Sequence, residues 1–178
     1  MEVQHMFALL RQLVLMIGVF VVSVANASAL GQIGNLQIKL ADETQIPHDV
    51  LKQCGGIMLF TLEDTAPMML PNEETGAFTK KLDAYHEKHQ LTFKMSDYFS
   101  QASEKMFIAD GMDFEGANYQ MGMAKWHFAQ QYRDAYLDVL ETTGHPWGDD
   151  SPFRIAYQAD MDKCTKLYNM HKPKGPTQ

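Results

Sequence analysis

Cysteine is scarce in this chain of 178 residues, which has two. No C-x-x-C pair for thiol exchange and no C-x-x-C-H run for haem attachment therefore exists. Positive charge is short as well: 15 Lys and Arg stand against 22 Asp and Glu, for a net charge of -7. Nucleic-acid binding rests on cations that neutralise phosphates, and polybasic membrane attachment needs clusters of Lys and Arg, so this balance argues against both. Catalytic signatures are missing too. H-E-x-x-H does not occur, the Glu-x-x-His of di-iron bundles occurs only at Glu2 and His5, and there is no G-x-S-x-G, P-loop or G-x-G-x-x-G. The expectation is a protein that is not an enzyme and needs no cofactor. There is no internal repeat and no low-complexity tract.

Apolar material, by contrast, is sufficient for a folded core. The chain is 46% hydrophobic and 11% aromatic, too rich for a disordered chain. Its length suits one ordinary domain and excludes a barrel of eight strands and eight helices.

The first segment reads as an address. Residues 13–25 are apolar apart from Ser23, Arg11 precedes them, and small residues follow in Ala25-Asn26-Ala27-Ser28-Ala29. A basic residue, an apolar block and an A-x-A site make a secretory signal peptide. The apolar block is shorter than the roughly 20 residues that span a bilayer core. Cleavage is expected between Ala27 and Ala29, which leaves a periplasmic or secreted chain with no stable membrane insertion. In an oxidising compartment the even cysteine pair is expected as a disulfide, Cys54–Cys164, the one connectivity two cysteines allow.

Helical periodicity dominates the rest. Residues 28–46 are expected as an extended arm, with a period-two alternation over residues 36–40. A first helix over residues 48–64 carries Val50, Cys54, Ile57, Met58 and Leu62 on one face. Gly55-Gly56 in its middle weakens it, which points to a neighbouring helix passing close beside Cys54. After a Pro-bracketed loop with Met68 and Met69, Asn72 is the expected N-cap of a second helix that reaches residue 90. A third helix covers 95–109 and a fourth 113–143, stopped by Gly144 and Pro146. The second and third, placed end to end, are the expected partner of the fourth. A fifth begins at Ser151 as N-cap with Pro152 behind it and ends before Pro173. These elements predict an all-α fold, an antiparallel helical bundle of four to five helices over residues 47–172 clipped by one disulfide. Residues 1–27 are the leader and 173–178 a tail.

Three constellations could carry chemistry. Asp134, Asp138 and Glu141 form an acidic ridge at i, i+4 and i+7 on the fourth helix, suited to a basic partner. The Gly144-His145-Pro146-Trp147-Gly148-Asp149-Asp150 loop offers Trp147 and Asp149 either as an anchor on the bundle end or as recognition residues. Met123 and His127, one helical turn apart, offer the thioether and imidazole that suit copper. His86 and His89 form a weaker zinc pair. The leading expectation is a non-enzymatic, exported bundle that binds a protein partner or small ligand through Trp147, Asp149 and the ridge, with an inhibitor or immunity role as one form. The alternative is a Met/His copper binder using Met123 and His127.

Overall fold

The computed structural model describes residues 30–34, 36 and 46–172. The expected leader, most of the expected arm and the tail lie outside these residues. The described chain is all-α: residues 30–32, expected within an extended arm, are helical, and five longer helices follow in order, α1 (His48–Thr65), α2 (Thr75–Lys88), α3 (Gln90–Ala109), α4 (Phe114–Thr143) and α5 (Pro152–His171). Among the described residues there is no strand, and no helix is long and apolar enough to cross a membrane.

The ends of the long helices follow from local chemistry. The Asp113 side chain accepts a hydrogen bond from Gly116 N–H at the start of α4, and Gly144, at φ 75°, turns the chain left-handed at its end. Ser151 caps α5 with Pro152 directly behind it. Two expectations need correction. Asn72 does not cap α2; it sits at φ 67° in the preceding turn, and the N-cap position falls to Glu74, whose side chain makes no capping bond. α3 begins at Gln90 rather than 95, because only His89 interrupts the helical backbone. Residues 90–94 are exposed or half-buried, so an apolar stripe could not reveal that first turn.

Four helices make the bundle, and contacts give their directions. His48 meets Ser103 and Phe107, so α1 and α3 are antiparallel. Lys125 meets Ser96 and Ser100, which sets α4 against α3. Tyr136 meets Phe153 while Tyr132 meets Asp160, which sets α5 against α4. α1 and α4 therefore run parallel, and they form the closest pair in the bundle, with α3 and α5 flanking them. Gly55-Gly56 makes that approach possible. A Cβ on Gly56 would lie 2.3 Å from Phe128 Cβ, and one on Gly55 would lie 2.9 Å from Lys125 Cγ. The helix-weakening glycines thus let the backbones of two parallel helices close together.

Cys54 and Cys164 form a disulfide between α1 and α5, with both cysteines fully buried. Phe99, Tyr132, Phe153, Ile57, Met58 and Leu167 fill the core around it. α2 is not part of this body. It buries no residue completely, and its clearest tie is Tyr85 Oη donating to Leu62 O at 2.7 Å. The expectation that α2 and α3 together line α4 therefore fails: α1, α3 and α5 are its neighbours.

Candidate functional site

The described surface holds one long stretch of side chains without a structural task, on the outer face of α4. The inner face of that helix is given over to Ala117, Ala129, Tyr132, Ala135 and Val139. On the far side Tyr119, Met123 and Trp126 follow at helical steps and are 64%, 45% and 52% exposed, and after Gln130 and Arg133 the same face continues with Leu137, 43% exposed. Asp134 and Glu141 share that face, and Asp138 lies at its half-buried edge. From residue 119 to residue 141 the strip is about 33 Å long at about 1.5 Å per residue. Five ion pairs occur among the described residues, and none uses Asp134, Asp138 or Glu141. The acidic ridge is therefore a row of unpaired carboxylates around Leu137, about two helical turns beyond Trp126. Spacing marks the carboxylates but does not sort the aromatic set of Tyr119, Trp126, Tyr132, Tyr136, Tyr157 and Tyr168 on α4 and α5 into buried and exposed members. The structure splits that set, with Tyr132 and Tyr157 buried and Tyr119 and Trp126 facing out.

The Trp147 loop closes the end of the bundle where α4 stops and α5 starts. The Trp147 ring meets Phe153 at 5.1 Å, Tyr157 at 5.2 Å and Tyr136 at 6.0 Å, with edge or tilted geometry. It is still 40% exposed. Asp149 pairs with Arg154, which also donates to Trp147 O. Asp149 is thus already neutralised, whereas the α4 carboxylates are not. Met123 and His127 both lie exposed on α4, and His127 Nε2 contacts Gln131 Nε2 at 3.2 Å. Among the described residues no three His, Cys, Asp or Glu side chains cluster as a metal site. His86 stacks on Phe93 while His89 leans on Tyr85, and His89 lies past the end of α2, so the two do not share one continuous helix face.

Three polar constellations escape a reading of motifs. Asp160 is fully buried. It accepts hydrogen bonds from Gly34 N–H at 2.6 Å, Leu36 N–H at 3.2 Å and Tyr132 Oη at 2.9 Å, with Lys163 Nζ 3.7 Å away. It pins residues 34 and 36 to α5, where a Cβ on Gly34 would lie 2.8 Å from Ala156 Cβ. Burial first, and the Asp160 carboxylate second, hold the Tyr132 hydroxyl well above its ordinary pKa. The sequence signal for this network is an acid at a core position, since Phe153, Tyr157, Asp160, Cys164 and Leu167 recur at helical spacing.

Lys125 lies between α1 and α3 and donates to Ser96 Oγ and Ser100 Oγ, each at 3.1 Å. Burial lowers its pKa, and Asp97 and Glu63 partly oppose that. His48 Nε2 is 3.0 Å from Ser103 Oγ, and its pKa is lowered by burial first and Lys52 second. Both arrangements place a base beside a hydroxyl, the minimum for an activated nucleophile. Ser96 and Ser103 are nevertheless buried, at 5% and 1% exposure, and all three serines lie within α3. There the backbone N–H groups are engaged in the helix rather than free to stabilise an oxyanion. These pairs satisfy polar groups where helices cross.

No known protein family, curated protein or solved structure matches the chain. Any functional reading therefore starts from the described surface itself.

Proposed function

We propose that this is an exported, non-enzymatic helical protein that captures a basic, amphipathic segment of a partner protein on the outer face of α4. The succession along that face carries the reading: exposed Tyr119, Met123 and Trp126 occupy its first half, and Leu137 lies among the unpaired carboxylates of Asp134, Asp138 and Glu141 in its second. Apolar side chains supply affinity when desolvated, and a row of like charge selects a complementary sign and speeds encounter. A helix with one apolar face and Lys or Arg along its edge matches both features. The net charge of -7 extends the same preference over the whole molecule. Trp147 packs on Tyr136, Phe153 and Tyr157 at the end of the bundle, and Asp149 serves chiefly to hold Arg154.

Export rests on the charged-apolar-small pattern at the start of the chain and agrees with the disulfide. An inhibitor or immunity protein that occupies a basic surface of its target is one form this role takes.

A synthetic Leu/Lys amphipathic helix, with its Leu/Glu counterpart as control, tests the binding face through Trp fluorescence. Saturable binding of the Leu/Lys peptide alone is expected, weakened at least tenfold by Asp134→Lys with Glu141→Lys and by Trp126→Ala. Equal binding of both peptides, or none, removes the reading. Trp147→Ala with unchanged helical circular dichroism reports separately on the loop; unaltered affinity would confine the site to α4.

A further inference from the structure

The opposite end of the bundle from Trp147 carries a cleft of about 440 Å³, within the roughly 300–1,000 Å³ of small-molecule sites. The second half of α3 walls it, and the start of α1 and the last turn of α5 close it. Its lining is mainly apolar, with Ile46, Leu51, Tyr98, Ala102 and Met106, and it holds three polar side chains: Lys105, Asp110 and His171. Among the described residues Lys105 and Asp110 enter no ion pair. His171 Nε2 is buried and has no hydrogen-bond partner among them. Elsewhere on this surface Lys81 pairs with Glu73 at 2.6 Å.

The ends of α3 and α5 and the start of α1 meet at this cleft. An apolar anion would leave Asp110 unmatched. An apolar cation would leave Lys105 unmatched, and a neutral body would leave all the polar groups so. We propose that the cleft binds a small zwitterion with an apolar body, as a free apolar amino acid or an apolar dipeptide presents. Its carboxylate is taken by Lys105 and the His171 Nε2–H, its ammonium by Asp110, and its apolar body by Met106, Leu51 and Tyr98. This site is separate from the α4 face and stands whether or not that face binds a partner.

Calorimetric titration of the purified protein with L-phenylalanine, L-leucine and L-leucyl-L-phenylalanine decides it, with 3-phenylpropanoate and phenethylamine as analogues lacking one charge. One-to-one binding of a zwitterion is expected, at least tenfold tighter than either analogue. The tighter of the dipeptide and the free amino acids identifies the source. Asp110→Asn should weaken the zwitterion at least tenfold and leave 3-phenylpropanoate unchanged, and Lys105→Gln should weaken the zwitterion likewise and leave phenethylamine unchanged. Both positions are exposed, so neither substitution threatens the fold. No heat with any of the three zwitterions overturns the proposal. So does 3-phenylpropanoate binding as tightly as phenylalanine, or undiminished binding in a folded Met106→Trp variant, whose indole fills the cleft.

Discussion

α1 and α2 are consecutive helices of similar amphipathic character, yet one lies at the centre of the molecule and the other stands beside it. α1 buries Val50, Leu51, Cys54, Ile57, Met58 and Phe60, and packs on α3, α4 and α5. α2 buries none of its residues. Local preference does not explain the contrast, because α1 contains two adjacent glycines that disfavour a helix by about 1 kcal/mol each relative to Ala. Tertiary packing explains it. The glycines admit α4 to van der Waals distance, and the disulfide ties the same turn to α5. α2 has a helical sequence, but among the described residues no neighbour covers its apolar side. Stability in this molecule should therefore concentrate along α1 and its contacts.

Removing the tie is the most severe way to break that contrast. The bridge spans a sequence separation of 110, and chain-entropy arguments give about 4–5 kcal/mol for a loop of that size. Cys54→Ala with Cys164→Ala should lower the free energy of unfolding in urea by that order. A loss under about 1 kcal/mol would mean that the reduced ensemble is already restrained elsewhere.

Gly56→Ala attacks the approach of α1 to α4 directly. The new Cβ would sit 2.3 Å from Phe128 Cβ and 3.1 Å from Ala129 N, a backbone-level conflict that no rotamer relieves. Overpacking of this kind costs about 1–3 kcal/mol, which outweighs the roughly 1 kcal/mol of helix preference that alanine restores. The expected result is a lower urea midpoint with an unchanged slope. A midpoint that rises would show that the helices can separate freely at Gly56.

Alkaline pH probes the aromatic core beside α1. Burial, with Asp160 second, raises the Tyr132 pKa, and burial also raises that of Tyr157 against the opposing hydrogen bond from Thr61. Above the ordinary tyrosine value near 10 the unfolded chain has lost these protons while the folded chain still holds them, so the unfolded state binds fewer protons and stability falls as pH rises. Below about pH 10 the contribution is fully present. Each affected tyrosine steepens the decline by up to about 1.4 kcal/mol per pH unit. Urea titrations between neutrality and alkaline pH should show this slope, and Tyr132→Phe should make it shallower. An unchanged slope in that variant would assign the alkaline loss to other groups.

The helices of the bundle were legible in the sequence because their apolar residues recur at helical spacing over several turns. The ends of α4 and α5 were legible because Gly144, Ser151 and Pro152 each act locally. The disulfide followed from an even pair of cysteines behind an export signal. The start of α3 was hidden, since periodicity reports burial and the first turn of that helix is exposed. The outer strip of α4 was half legible: the acidic spacing is plain, but which aromatics face out depends on where α1 and α3 dock. Asp160 and Lys125 take their hydrogen-bond partners from residues 25–126 positions away, beyond the reach of any local pattern.

The smallest expected effect tests whether α2 belongs to the cooperative unit at all. Few buried contacts imply that a segment opens on its own, at a free energy below that of global unfolding. Gly76 lies near the start of α2, and a Cβ there would meet nothing within 4 Å, so Gly76→Ala gains helix preference of up to about 1 kcal/mol without a steric cost. If α2 opens separately, hydrogen exchange of residues 75–88 should slow in this variant while the urea midpoint of the whole protein stays where it was. A midpoint that rises in step with α2 protection would place α2 inside the same transition as α1. The Tyr85 tie to Leu62 O would then couple the two helices far more strongly than one hydrogen bond, worth about 0.5–1.5 kcal/mol, can account for.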